Sequence, residues 1–156
     1  MALSLSKLVD SKRENEGEWF QYGDTTFHVK LAFYTREKIT DLLNSARIKK
    51  PDPRNPRNFT EELDNDKFRN AFVPKIIKDW RGLTLKVLST LVVIDYEGEE
   101  NEEAELPYSN EEALLLVAKS AAFDSWVTGM CADVEAFNKA KKENALKNFS
   151  TAPATS

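Results

Sequence analysis

Cysteine and histidine each occur once in these 156 residues, at Cys131 and His28. No intrachain disulfide can form, and no His/Cys set has the spacing of a structural zinc site. A single cysteine fits a reducing cytoplasm. Cys131 sits beside Met130 with no histidine nearby in sequence, so it reads as a buried, inert thiol. Glycine is scarce as well: five are scattered along the chain, and no Gly-rich phosphate loop is present. Ser109 and Ser125 lack the setting of a nucleophile elbow. The acidic residues form no Asp-x-Asp-x-Asp-Gly loop, which excludes an EF-hand. No apolar run approaches the roughly 20 residues that span a bilayer. The opening MALSLSKLVDSKREN has no basic start followed by an apolar stretch, so no secretory signal is expected. Basic excess is absent too; the net charge is −4, which argues against a dedicated nucleic-acid binder. The expectation is a protein without enzymatic activity, cofactor, metal, nucleic-acid partner or membrane partner.

What is present is aromatic and apolar. Nine Phe, three Trp and 41% hydrophobic residues suffice for the core of one domain. Charge is unevenly placed. Residues 47–57, RIKKPDPRNPR, are basic and proline-rich, and residues 97–105, EGEENEEAE, are densely acidic. Both read as solvated loops, because neither can bury enough apolar surface to offset ordering. In residues 18–34, Gly23-Asp24 interrupts two short runs rich in β-formers, a hairpin signal. Phe27, Val29 and Leu31 alternate with Thr26, His28 and Lys30, giving one apolar face that should pack on helices. His28, on the polar face, reads as a surface histidine.

Helices are expected elsewhere. Thr35 can cap one running to about Arg47, with Ile39, Leu42, Leu43 and Ala46 at helical spacing. Pro51, Pro53 and Pro56 then call for an extended connector. From Thr60 or Asp64 to Trp80, the stripe Phe68, Phe72, Ile76, Trp80 predicts a helix kinked at Pro74. Gly82 would be its left-handed stop, with Leu83 folding back on Ile77. Residues 84–94 fit either a short helix, the preferred reading, or a buried strand. Ser109 and Glu112 spell a capping box. A break near 120–124 precedes a last long helix to about Asn148, striped by Phe123, Val127, Met130, Val134 and Phe137. The fold class is mostly α (α+β): a compact helical domain with a small N-terminal antiparallel β-hairpin. Residues 1–16 read as a polar lead-in with the composition of a mobile segment, 17–148 as the domain and 149–156 as a flexible tail.

In order and spacing, Trp80-Arg81-Gly82-Leu83, Pro107-Tyr108-Ser109, Phe123-Asp124-Ser125-Trp126 and Lys147-Asn148 make a set. With EGEWFQYGDTTFHVKLA before them, this arrangement resembles the tail assembly chaperones of long-tailed bacteriophages and prophages, from about Gly17 to Asn148. The resemblance implies a non-enzymatic protein of the host cell cytoplasm, absent from the mature virion. It would bind the tape measure protein, a very long helical chain, and keep it soluble until tail-tube subunits polymerise around it. In many such proteins a frameshift yields an extended product. The resemblance supplies no catalytic residues. Trp80, Trp126, Phe123 and Phe137 are the candidate partner-binding residues, set against the ordinary alternative that they fill the core. The tail-tube protein and self-association remain open as further partners. Two other functions also stay open: a minor virion structural component, such as a tail connector or completion protein, and a nucleic-acid or host-factor binder.

Overall fold

A computed structural model describes residues 3–95 and 101–151 of the chain. In chain order its elements are α1 (Leu5–Leu8), α2 (Ser11–Asn15), β1 (Glu18–Gln21), β2 (His28–Leu31), α3 (Arg36–Ser45), β3 (Arg47–Asp52) and β4 (Asn55–Leu63). Then follow α4 (Asn65–Ile76), β5 (Ile77–Arg81), α5 (Leu85–Leu91), α6 (Asn110–Lys119), α7 (Ala121–Cys131) and α8 (Val134–Thr151). The architecture is α+β, as expected, with more strand than the hairpin alone. A three-stranded antiparallel sheet, ordered β1-β2-β5, carries the helices, and β3 and β4 form a separate ribbon.

The N-terminal hairpin forms as its alternation dictates. Gly23 takes φ +56°, and the Tyr22 amide donates to the Phe27 carbonyl at 2.8 Å to close the turn. Phe27, Val29 and Leu31 are fully buried, whereas His28 and Lys30 lie on the outer face. This apolar face is the floor of the core. Phe72, Val73, Ile76, Phe123 and Val127 are packed in the same buried cluster.

The helix after Asp64 stops earlier than its stripe suggests. Asp64 caps it, accepting from the Lys67 amide at 3.1 Å, and Pro74 lies within it. Beyond Ile76 the chain becomes β5 and pairs with β2. The cause lies in the strand register. Leu31 pairs with Ile77 but Lys30 with Asp79, so Lys78 is an extra, bulged residue. The bulge lets Ile77 and Trp80 both face the core at a spacing of three, which imitates a helical repeat. Gly82 does adopt a left-handed φ of +70°, but it ends a strand rather than a helix. The Thr26 hydroxyl donates to its carbonyl at 2.8 Å.

The basic stretch 47–57 is not a loop. It pairs with residues up to Leu63 as an antiparallel ribbon whose register shifts at Pro51/Asp52. Every strand of a two-stranded ribbon is an edge, so prolines are tolerated where their missing N–H would face water. No residue of either strand is buried. The ribbon leaves the body between α3 and α4, its base closed by the Asp64 amide donating to the Ala46 carbonyl at 2.9 Å.

Residues 84–94 begin as the preferred short helix, α5. The Thr84 hydroxyl accepts from the Val87 amide at 3.3 Å. The acidic run supplies the rest of this cap: the Leu85 and Lys86 amides donate to the carbonyls of Ala104 and Glu102 at 2.9 and 3.1 Å. Its described part is therefore a strap rather than a free loop; residues 97–100 lie outside the described residues. Ser109 caps α6 as its spacing predicts, accepting from the Glu112 amide at 3.1 Å. Ser120 ends α6 and caps α7, accepting from Phe123 at 3.2 Å. The expected single last helix is two. Its second break falls at Ala132-Asp133, where Asp133 caps α8 by accepting from the Ala136 amide at 3.0 Å. The lead-in carries α1 and α2, and Arg13 pairs with the buried Glu18 at 3.3 Å.

Candidate functional site

The four aromatic candidates converge on the hairpin. Phe123 stacks on Phe27 with ring centroids 5.6 Å apart, and Trp80 meets Phe27 edge-on at 5.8 Å. Trp126 packs on Tyr22 at 5.0 Å and on Phe123 at 6.0 Å. Phe137 packs edge-on against Phe20 and Phe33, at 4.8 and 5.2 Å. Trp80, Phe123 and Phe137 are buried, and Trp126 is half-buried. The first three therefore lend no surface to a partner in this conformation.

The ordered motifs also meet one another. The Trp80 indole N–H donates to the Leu106 carbonyl at 3.0 Å, and the Tyr108 ring lies edge-on at 5.3 Å from Trp80. The Tyr108 hydroxyl donates to the Ile77 carbonyl at 3.0 Å. Burial, then the nearby Asp79 charge, pushes its pKa above the ordinary tyrosine value. The Leu106 amide donates to Leu83 at 2.8 Å. Segment 106–108 is thus a clasp over β5 and its turn.

The reactive residue types are placed as the sequence suggested. Cys131 is buried, and desolvation pushes its thiol up to about 12, so no thiolate forms near neutrality. His28 lies on the outer face, its Nδ1 2.9 Å from the Thr26 carbonyl. Among the described residues, no group of three or more His, Cys, Asp or Glu is placed to hold a metal ion. No helix there is long and apolar enough to cross a membrane.

The open apolar feature lies elsewhere. The end of α5 and the extended residues after it run beside α6, leaving a groove of about 430 Å³. Leu88, Val92, Ile94, Leu106 and Leu116 line it. Val93 is fully exposed at its edge and Leu115 is 53% exposed. Glu112 and Lys119 stand at the two ends of α6, both on the groove. A cavity of this size, apolar with a few charged groups at its ends, has the character of a binding site. Sequence reasoning passed over it because Leu88, Leu115 and Leu116 look like any core stripe. Only contact between α5 and α6 shows which face is left uncovered.

Comparison with known families places the chain among prophage proteins. It belongs to the YdaY prophage protein family, whose family model matches residues 34–148. No curated protein and no solved structure gave a match.

Proposed function

We propose that this prophage protein is a tail assembly chaperone that binds the tape measure protein, keeps it soluble and promotes tail-tube assembly around it. The observation that carries the reading is the α5–α6 groove, open and apolar, with Val93 and Leu115 exposed at its edge. A long amphipathic helix that exposes an apolar stripe self-associates unless the stripe is covered. Helix-in-groove packing covers it with anchors at i, i+3/i+4 and i+7. The ordered motif set and the prophage family support the same reading.

On this reading the protein is not an enzyme, uses no cofactor, and binds neither nucleic acid nor membrane. It acts in the host cytoplasm and is absent from the finished particle. Co-expression with the tape measure protein of the same prophage tests it. The expected result is a soluble complex recovered by pulldown, and equal solubility with an unrelated acidic protein would refute it. A minor virion component is the competing reading; mass spectrometry of purified particles separates the two, since only a structural component should be found there.

A further inference from the structure

The α5–α6 groove is lined only by residues between 88 and 119, and that part of the chain is charged against the rest. Residues 87–118 hold nine Asp/Glu and no Lys, Arg or His. The rest of the chain holds the other 17 Asp/Glu and all 22 Lys/Arg, so the stretch carries −9 and the remainder +5. Three of the nine, at 97, 99 and 100, lie outside the described residues. The other six are Asp95, Glu102, Glu103, Glu105, Glu111 and Glu112.

These six flank the groove. Asp95 follows Ile94 and Glu105 precedes Leu106, and both apolar neighbours line it; Glu112 lines it directly. The Leu85 and Lys86 amides, bonded to Ala104 and Glu102, hold the acidic strap against the start of α5. Five of the six are exposed and Glu112 is half-buried. None of them takes part in the ion pairs formed among the described residues. Lys86 and Lys119, which bound the stretch, form no ion pair there either. Arg69 shares a cleft with Glu111 but is already paired with Asp66. Helix capping accounts for little of this charge: the N-termini of α5 and α6 offer at most about half a positive charge each. Unpaired like charges on one side of the molecule repel one another and attract a cationic partner.

Two properties then define the occupant. Along α6 the groove runs from Glu112 to Lys119, two turns or roughly 10 Å, which suits the i, i+3/i+4 and i+7 anchors of one helix. The acids beside it call for cations beside those anchors. We propose that the groove takes a basic amphipathic helix. Its apolar stripe lies on Leu88, Val92, Leu115 and Leu116, and Lys or Arg beside the stripe faces Asp95, Glu103 and Glu105. The inference rests on the groove being the chaperone's binding site, and it assigns the charge of the tape measure segment held there.

Three synthetic peptides of about 18 residues test it, long enough to hold helix alone. They share one leucine stripe and differ only in flanking it with Lys, Gln or Glu. By fluorescence anisotropy, the Lys peptide should bind the intact chain roughly tenfold or more tighter than the Gln peptide, and the Glu peptide should bind weakest. Its affinity should fall roughly tenfold between about 50 and 300 mM salt. Asp95→Asn/Glu103→Gln/Glu105→Gln should erase the preference for Lys and leave binding of the Gln peptide unchanged, which also shows that the variant folds. Val93→Asp/Leu115→Asp should lose the Lys peptide although it adds two carboxylates. Equal binding of the Lys and Gln peptides overturns the proposal, as does binding of none. So does undiminished binding by Val93→Asp/Leu115→Asp, which would show general attraction to an acidic chain. Self-association of the intact chain that Val93→Asp/Leu115→Asp abolishes would overturn it in favour of a second copy. The tape measure protein separates this inference from the function it rests on. If the Lys peptide binds as expected but the tape measure protein does not co-purify, the partner is wrong and the basic helix stands. If the tape measure protein is captured equally by the intact chain and the triple variant, the partner stands and the basic helix is wrong.

Discussion

At Gly82 the backbone stands at φ +70°, and an added Cβ would overlap the Thr26 carbonyl oxygen. Both the positive φ and the overlap must be relieved by moving backbone, because Thr26 is held by the turn that closes the hairpin. Gly82→Val should cost about 2–4 kcal/mol in urea denaturation, through strain and displaced packing. Gly129 is the contrast. It lies in α7 with nothing within 4 Å of an added Cβ, so Gly129→Ala should be neutral or gain up to about 1 kcal/mol. Equal effects at the two positions would contradict this account of why Gly82 is glycine. Cys131 gives a chemical test at the same scale. Its folded pKa lies far above the roughly 8.5 of a free thiol, so raising the pH to 9 should leave it protonated in the native state. A thiol reagent should label it only after denaturant is added; rapid labelling of native protein would place it at the surface.

Single elements show where the sequence could be read and where it could not. Local signals held wherever the deciding chemistry is local. Thr35, Asp64, Ser109 and Ser120 each cap a helix through their own side chains. In the hairpin's second strand, the alternation of Phe27, Val29 and Leu31 with Thr26, His28 and Lys30 matches burial residue by residue. Asp133 is a cap of the same kind that sequence reasoning missed, because the stripe Val127, Met130, Val134 runs across the break in phase. The strand β5 could not be found that way. Its identity depends on pairing with β2, about fifty residues earlier, and its bulge at Lys78 disguises the strand as one more helical turn. The ribbon was hidden by its prolines, which end helices but only restrict strands at an edge. As for the candidate residues, Phe123 was recognised as important, but the sequence does not say whether an aromatic stripe faces inward or outward. With Phe123 fully buried between Phe27 and Trp126, Phe123→Ala should cost about 3–5 kcal/mol of stability. A stable Phe123→Ala protein that loses only partner binding would move this residue from core to interface.

Across the whole molecule, the family match begins at Tyr34, yet the fold does not. Strand β2 is the centre of the sheet and supplies Val29 and Leu31, while Phe27 just before it receives both Trp80 and Phe123. The matched segment alone would leave the apolar faces of β5, α4 and α7 without their floor. A chain lacking residues 1–33 should therefore show no cooperative thermal transition, and a sharp transition near that of the full chain would mean that the sheet is dispensable. Among the described residues the surface carries an open apolar groove between α5 and α6, and the proposed function rests on it. The direct test is binding to the tape measure protein with a groove variant, Val93→Asp/Leu115→Asp. Both positions are exposed, so the variant should keep the melting behaviour of the intact chain. Measured by pulldown after co-expression, the intact chain should hold the tape measure protein in solution and the variant should lose it. Undiminished capture by a folded variant would contradict the groove as the site of binding.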